Sequence, residues 1–479
     1  MSYKHGVYVV ENATSVSAPV ASDSGLIVVV GTAPVHLAEE PAAVNTPVLV
    51  NSFAEAVMAF GDSTDFAKYT ICEAVHAAFQ VVGAGPMVII NVLDPEKHVK
   101  VLAETTVQVN GGAAVLEEPD AILSQLVVKN DAAALTEGTD YIADFDKNGN
   151  VKIALLEGGA AAEATSLKVS GKAVDPAAVT EEDIVGGVDA TTGKETGIEA
   201  VRMVYPMLGM VPGTLIAPGY SQKPAVAAAL QAKTLAGGFR MMTMVDVDSG
   251  ESGAKKYTDV KAKKEVQELS DANCFALWPC AKVGEQVYHL SAIAAAVAAK
   301  VDAENGGVPY VSVDNQPVGV DAACLEDGTE VLLDREQANE VNACGVATML
   351  NMNGMRLWGN NTAAYPESKD YKDRWMSVRR FLNWDDNTFI QTYFSKVSMP
   401  MNRRLVESIV DGENVRGNSF VARGICARHE TKFLEEENPT GEMLNGTLTF
   451  HKYVTPFGPA EDIEEIVEID PDALASALA

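Results

Sequence analysis

Few residues in this chain have the types and spacing that chemistry requires. Asp144, Asp146 and Asn148, followed by Gly149, match the first half of a calcium-binding loop, in which carboxylates at the first and third positions meet the cation. The twelfth position is Leu155, where that loop needs a bidentate glutamate. The flanks alternate like strands, so Asn148 and Gly149 read as the turn of a β-hairpin. Gly187, Gly193 and Lys194 approach a phosphate-binding loop, yet one residue too many separates the glycines and Glu195 stands where a magnesium-binding hydroxyl belongs. Gly83 and Gly85 lack the third glycine of a dinucleotide fingerprint and precede a strand instead of following one. The histidines (His5, His36, His76, His98, His289, His429, His451) show no paired spacing. The cysteines (Cys72, Cys274, Cys280, Cys324, Cys344, Cys426) show no CxxC, and read as reduced, buried thiols. The expectation is a chain without catalytic residues, metal or cofactor.

Composition narrows the field further. The chain has 479 residues, 36 Lys and Arg against 66 Asp and Glu for a net charge of −30, and 47% hydrophobic residues. That apolar fraction excludes a disordered acidic chain, and the length predicts more than one domain. The acidic surplus argues against nucleic acid as a partner, because phosphate binding needs a basic face. The first residues lack the basic start and apolar run of a secretory leader, which predicts a cytosolic origin. Residues 203–222 are uncharged, but Pro206, Pro212 and Pro218 interrupt them, so no membrane insertion is expected.

Any functional residue must be positioned by an alternation of strands and helices. Strands are predicted at 26–30, 87–93, 213–217, 239–247 and 273–278, and helices at 53–60, 65–82, 197–208, 223–235, 255–269 and 287–301. This predicts an α/β core with a mostly parallel sheet over residues 21–98 and 196–340. Between them, residues 99–195 hold 17 acids against 7 bases and two aromatics, Tyr141 and Phe145. Their short alternating runs predict an inserted all-β, sandwich-like domain. A helix at 335–349 opens an α+β C-terminal domain, residues 341–460. It carries nine bases against five acids from Arg356 to Arg404, whereas twelve acids face two bases from Glu430 onward. Most of the surplus negative charge thus lies in the insert and the C-terminal tail.

The two ends are the most distinctive segments. Gly6, Val7, Tyr8, Val9, Val10 and Glu11 form a β-prone run on an arm spanning residues 1–20. In the arm at 461–479, Ile463, Glu465, Val467 and Ile469 would share one face of a strand, and Ile466 lies on the other between Glu464 and Glu468. Apolar residues to bury, with charges that discourage promiscuous pairing, suit strand donation to a neighbouring copy. The alternative is that both strands pair within their own subunit.

Taken in order, several motifs resemble one known family. They are the run at 6–11, residues 30–34 (VGTAP), 45–53 (NTPVLVNSF), Phe60 with Gly61, 215–221 (LIAPGYS), 341–348 (VNACGVAT), 355–362 (MRLWGNNT), Tyr365 with Pro366, and 374–381 (RWMSVRRF). Together they are similar to the sheath proteins of contractile phage tails and phage-tail-like bacteriocins; the insert is not covered. The resemblance implies a helical polymer of the chain with itself around a tail tube protein, ending on baseplate and tail terminator proteins, and assembled in the bacterial cytoplasm. It implies that residues 341–460 face the tube, that the insert points outward, and that terminal strands from neighbours complete a small sheet on each C-terminal domain. Arg356, Arg379 and Arg380 fall in the matched block, where buried ion pairs compete with contacts to tube or neighbour as their role; the structural role is favoured, and Trp358 and Trp375 are read the same way. Residues 402–410, with Arg403 and Arg404, are the expected tube-contacting helix. The competing reading is a cytosolic α/β enzyme with a β-domain insertion; a surface-layer or adhesin role comes third.

Overall fold

The computed structural model describes residues 24–146 and 149–478. Its first strand, β1 (Ile27–Gly31), is buried along its whole length, as an apolar run covered on both faces must be. An edge strand, β2 (Val48–Val50), leads into α1 (Phe53–Phe60), whose first turn is capped by the Ser52 side chain accepting from the Glu55 amide. Helix α2 (Thr70–His76) continues as a π-helical segment to Val82. There Gly83, in the left-handed conformation, ends it before β3 (Met87–Asn91).

The chain then leaves for the insert. Strands β4 (Val99–Asn110), β5 (Ala113–Leu116), β6 (Val127–Asn130), β7 (Ala133–Ala134), β8 (Tyr141–Phe145), β9 (Val151–Leu155) and β10 (Ser166–Val174) pair antiparallel in the order β7-β6-β10-β4-β5-β9-β8. The long β4 links two sheets, pairing with β10 from Val99 to Gln108 and with β5 at Val109 and Asn110. Both halves cover one core containing Val107, Val128, Ile153, Leu167 and Val169. β8 and β9 are hairpin partners, so Asp144 and Asp146 sit on a hairpin and not between the helices of a calcium loop. Residues 187–196 form a second small hairpin, Gly187–Val188 against Glu195–Thr196.

Back in the core, β11 (Thr214–Ile216), α3 (Pro224–Ala232), β12 (Met242–Asp246), β13 (Cys274–Leu277) and α4 (Leu290–Glu304) resume the alternation. After α5 (Arg335–Ala343) come β14 (Val346–Asn351) and β15 (Met355–Trp358). The main sheet runs β2-β3-β1-β11-β12-β13-β14-β15. Its six inner strands are parallel, with an antiparallel strand at each edge. The alanine-rich α4 is buried on nearly every side, the state expected of a helix that is apolar all round.

Three expectations change. The helices expected at 197–208 and 255–269 shorten to Val204–Leu208 and Val260–Val266, each entered through a 3-10 turn. The helix expected at 335–349 stops at Ala343 because Gly345 turns the chain at φ 73°; the apolar run after it is a buried strand of the main sheet. The C-terminal unit therefore starts later than 341. It comprises α6 (Met376–Tyr393), α7 (Arg403–Ala422), β16 (Cys426–Lys432), β17 (His451–Pro456) and α8 (Pro471–Ala477). Phe381, Trp384, Phe420 and Ile425 form its own core, joined by Val308 from the α/β layer.

Candidate assembly surface

In an open parallel sheet a ligand would sit beyond the carboxyl ends of the strands, where strand order reverses between β1 and β11. Here that region is closed by its own side chains. Glu73 of α2 is buried, and its Oε2 lies 3.0 Å from Nδ1 of His289, the residue that precedes α4. Burial works against the charged imidazole, but Glu73, with Asp246 and Glu326, outweighs it and pushes His289 up to about 10. Asp246, at the end of β12, accepts from Ser221 Oγ at 2.8 Å and from the Ser291 amide at 2.8 Å. The hollow among Gln222, Asp246, Cys280 and His289 has no room for a water-sized body. Burial pushes the thiols of Cys274 and Cys280 up, away from the reactive thiolate. Nothing in this region supports the enzyme reading.

The C-terminal unit is held together by charge buried between four elements. Asp385 of α6 receives His429 Nε2 of β16 at 3.0 Å, an Arg416 guanidinium nitrogen of α7 at 2.7 Å and Lys452 Nζ of β17 at 2.8 Å. Glu413 of α7 receives the same arginine at 2.7 Å and the same lysine at 3.1 Å. Burial alone would raise the Asp385 carboxyl, but Lys452, His429 and Arg416 outweigh it and hold it well below the usual carboxylate range. Ligand atoms of Asp385, Glu413 and His429 lie within 4.8 Å of one another, as a metal site would need. Two cations of the chain already neutralise those carboxylates, so the group works as a joint. The close seat of α7 on β16 depends on Gly417, where a Cβ would lie 2.2 Å from the His429 carbonyl oxygen.

This joint presents an unfinished surface. β16 and β17 form a two-stranded antiparallel sheet, and among the described residues neither outer edge is paired. Beyond it, residues 461–470 have no regular secondary structure and are exposed throughout. Ile463, Ile466, Val467 and Ile469 are 79–91% exposed, and Glu465 between them is exposed too. The arm is tethered at its root by Arg374, which pairs with Glu461 and stacks over Trp375 at 3.9 Å. In the described chain the C-terminal strand thus has no partner strand of its own subunit. The run from Gly6 to Glu11 lies outside the described residues.

The basic residues separate into two groups. Arg380 is buried and fastens α6 to α4, with Nη1 donating to Asp302 Oδ1 at 3.0 Å and Nη2 to the Ser24 carbonyl at 3.2 Å. Arg379 lies largely covered, donating from Nε to Asn383 Oδ1 at 3.2 Å and facing Asp373 at 3.7 Å. Both guanidinium groups have partners inside the chain. Arg356 likewise donates to the Asn315 carbonyl at 2.6 Å, and Trp358 to Asn339 at 3.3 Å. Arg403 and Arg404, in the first turn of α7, are exposed; Arg403 pairs within the helix with Glu407 at 2.6 Å.

Sequence reading missed the buried joint and one further feature. A groove of about 650 Å³ runs between the end of α6, the start of α7 and residues 446–450, and Phe389, Tyr393, Met401, Leu405 and Phe450 line it. The signal was present: residues 387–406 contain three bases, no acid and a run of large apolar side chains.

The chain superimposes on the sheath of an extracellular contractile injection system, the PVC sheath complex in its contracted state, with a TM-score of 0.60 at 14% identity, over 99% of each chain. On the contracted helical sheath of the anti-feeding prophage the TM-score is 0.58 at 15% identity, covering 98% of this chain and 100% of that one. No protein-family model matches the sequence. It is, however, 31% identical to the tail sheath protein of Burkholderia phage BcepMu across 99% of this chain and 98% of that protein. It is also 25% identical to the tail sheath protein of Escherichia phage P2 across 78% and 93% respectively. The chain belongs to the tail sheath protein family.

Proposed function

We propose that the chain is the structural subunit of a contractile tail sheath, polymerising helically with copies of itself around a tail tube. Contraction then proceeds by rigid-body repacking of subunits and drives the tube through the envelope of a target cell. The observation that carries this reading, beside family membership, is the C-terminal end: among the described residues, an apolar, acidic arm has no partner strand and lies beyond a two-stranded sheet whose outer edges are unpaired. Strand addition from neighbouring copies satisfies both at once. Residues 463–469 of one neighbour and residues 6–11 of another complete the β16–β17 sheet, and subunits stay joined while the folded bodies rotate. A contact that is not self-complementary repeats without closing and generates an open helix. Arg403 and Arg404 meet the tube or a neighbouring copy, the acidic insert faces outward, and baseplate and terminator proteins cap the polymer. The particle is a phage tail or a phage-tail-like particle assembled in the bacterial cytoplasm.

Negative-stain microscopy of the purified protein tests this. Hollow tubes are expected from the wild type, and folded monomers that do not polymerise from chains lacking residues 1–14 or 461–479. A monodisperse wild type at high concentration, or assembly indifferent to both deletions, overturns it.

A further inference from the structure

The strand donation proposed above leaves one piece of the arm unused and, among the described residues, one surface of the C-terminal unit uncovered. The unused piece is α8 with the residue after it. Leu474 and Leu478, one turn apart and so on one face of the helix, are 64% and 81% exposed. The uncovered surface is the groove lined by Phe389, Met401, Leu405 and Phe450, beside which Phe394 and Val397 stand exposed. Two exposed apolar surfaces in one acidic, soluble-looking composition call for a partner.

Charge says which partner fits. The groove belongs to residues 387–406, with Lys396, Arg403 and Arg404 and no acid; residues 461–472 carry seven acids and no base. Chain direction says how they meet. β17 begins at His451, and Phe450, immediately before it, lines the groove. In the β16–β17 pair Lys432 lies opposite His451 and Cys426 opposite Pro456. A donated strand running antiparallel to β17, or parallel to β16, therefore ends at the His451 end. Only Asp470 separates Ile469 from α8, which is about 10 Å long at 1.5 Å per residue. The helix is delivered to the groove by the strand that precedes it.

We infer that the groove is the receptor for the C-terminal helix of a second copy of this chain, with Leu474 and Leu478 entering it and the arm's acids meeting Lys396, Arg403 and Arg404. This rests on the sheath reading, and deepens it: each donated arm is held twice, by backbone hydrogen bonds along the sheet edge and by a side-chain lock at its end. The donated strand then runs antiparallel to β17 or parallel to β16.

The test is a pair of cysteines, Leu474→Cys with Met401→Cys, in the full chain, whose native cysteines are all buried. Assembled tubes exposed to mild oxidation are expected to give a ladder of covalent oligomers, and neither single variant should. A chain lacking residues 471–479 but keeping the strand should still form tubes, at about tenfold higher protein concentration. Tubes that form without the ladder overturn the groove assignment while leaving the sheath reading intact. So does a disulfide that closes within one chain, truncated protein assembling at the wild-type concentration, or, in complete tails, a groove cysteine that links to another kind of chain. A wild type that forms no tubes defeats the sheath reading itself.

Discussion

The α/β layer and the C-terminal unit treat buried charge alike and their surfaces differently. In the layer, Glu73 meets His289, and Lys264, also buried, donates to the Cys344 and Tyr365 carbonyls at 2.8 Å each; Asp302 meets Arg380 between the two regions. In the C-terminal unit the Asp385 joint ties four elements in the same manner. Both interiors set their buried carboxylates against basic side chains of the chain. Outside, the layer ends its sheet with short antiparallel strands, β2 and β15, whereas among the described residues the C-terminal unit leaves a sheet edge, a groove and an isoleucine-rich arm open. Paired charge inside and unpaired surface outside are thus separable, and the strand exchange proposed above draws on the second. A device that works by moving rigid bodies needs both.

The comparison can be broken most directly at the open surface. Removing residues 461–479 is expected to abolish assembly in sedimentation runs while the thermal midpoint stays within a few degrees of wild type. A large fall in Tm would mean that the arm stabilises its own subunit. A smaller but substantial effect is expected inside each body. Asp385→Ala leaves Arg416, Lys452 and His429 without their shared acceptor, and His289→Ala leaves Glu73 buried without its partner. Each should cost about 3–5 kcal/mol in chemical denaturation, the usual consequence of breaking a buried pair. A much smaller loss in one region would show that the two interiors are not equally rigid.

The layer should also show a pH signature. The His289 pKa is raised on folding to about 10, so its contribution is fully present below the unfolded value of about 6.5 and declines as pH rises toward and through 10. Denaturation midpoints should fall across that window, and His289→Gln should flatten the slope. The smallest effect concerns salt. Pairing of the acidic arm with Lys396, Arg403 and Arg404 is a surface attraction, so raising ionic strength should increase the protein concentration required for assembly severalfold. Replacing Glu464, Glu465 and Glu468 by glutamine should remove much of that dependence.

The local pattern was readable where burial imposes a period. The unbroken apolar β1 and β3, the Ser52-capped α1, the antiparallel strands of the insert and the unusual alternation of residues 463–469 all announce themselves within a few residues. The run at 346–350 did not, because a short apolar segment has no period to tell strand from helix; only pairing of Val346 and Ala347 with β13 made it a strand of the main sheet. The arginines show the same limit. Arg380 and Arg403 look alike in sequence, yet Arg380 meets Asp302 across 78 residues while Arg403 stays at the surface.

The sequence by itself determined an α/β core interrupted by an acidic β-rich segment, and an apolar, acidic run near the C-terminus, because hydrophobic period and charge are local properties of the chain. The tertiary structure decided which charges are buried with which partners, where the main sheet ends, and that an apolar groove lies at the end of β17 where an incoming strand would leave its helix. Those depend on residues brought together from far apart, and a charge in a sequence carries no record of the side chain that folding will set beside it.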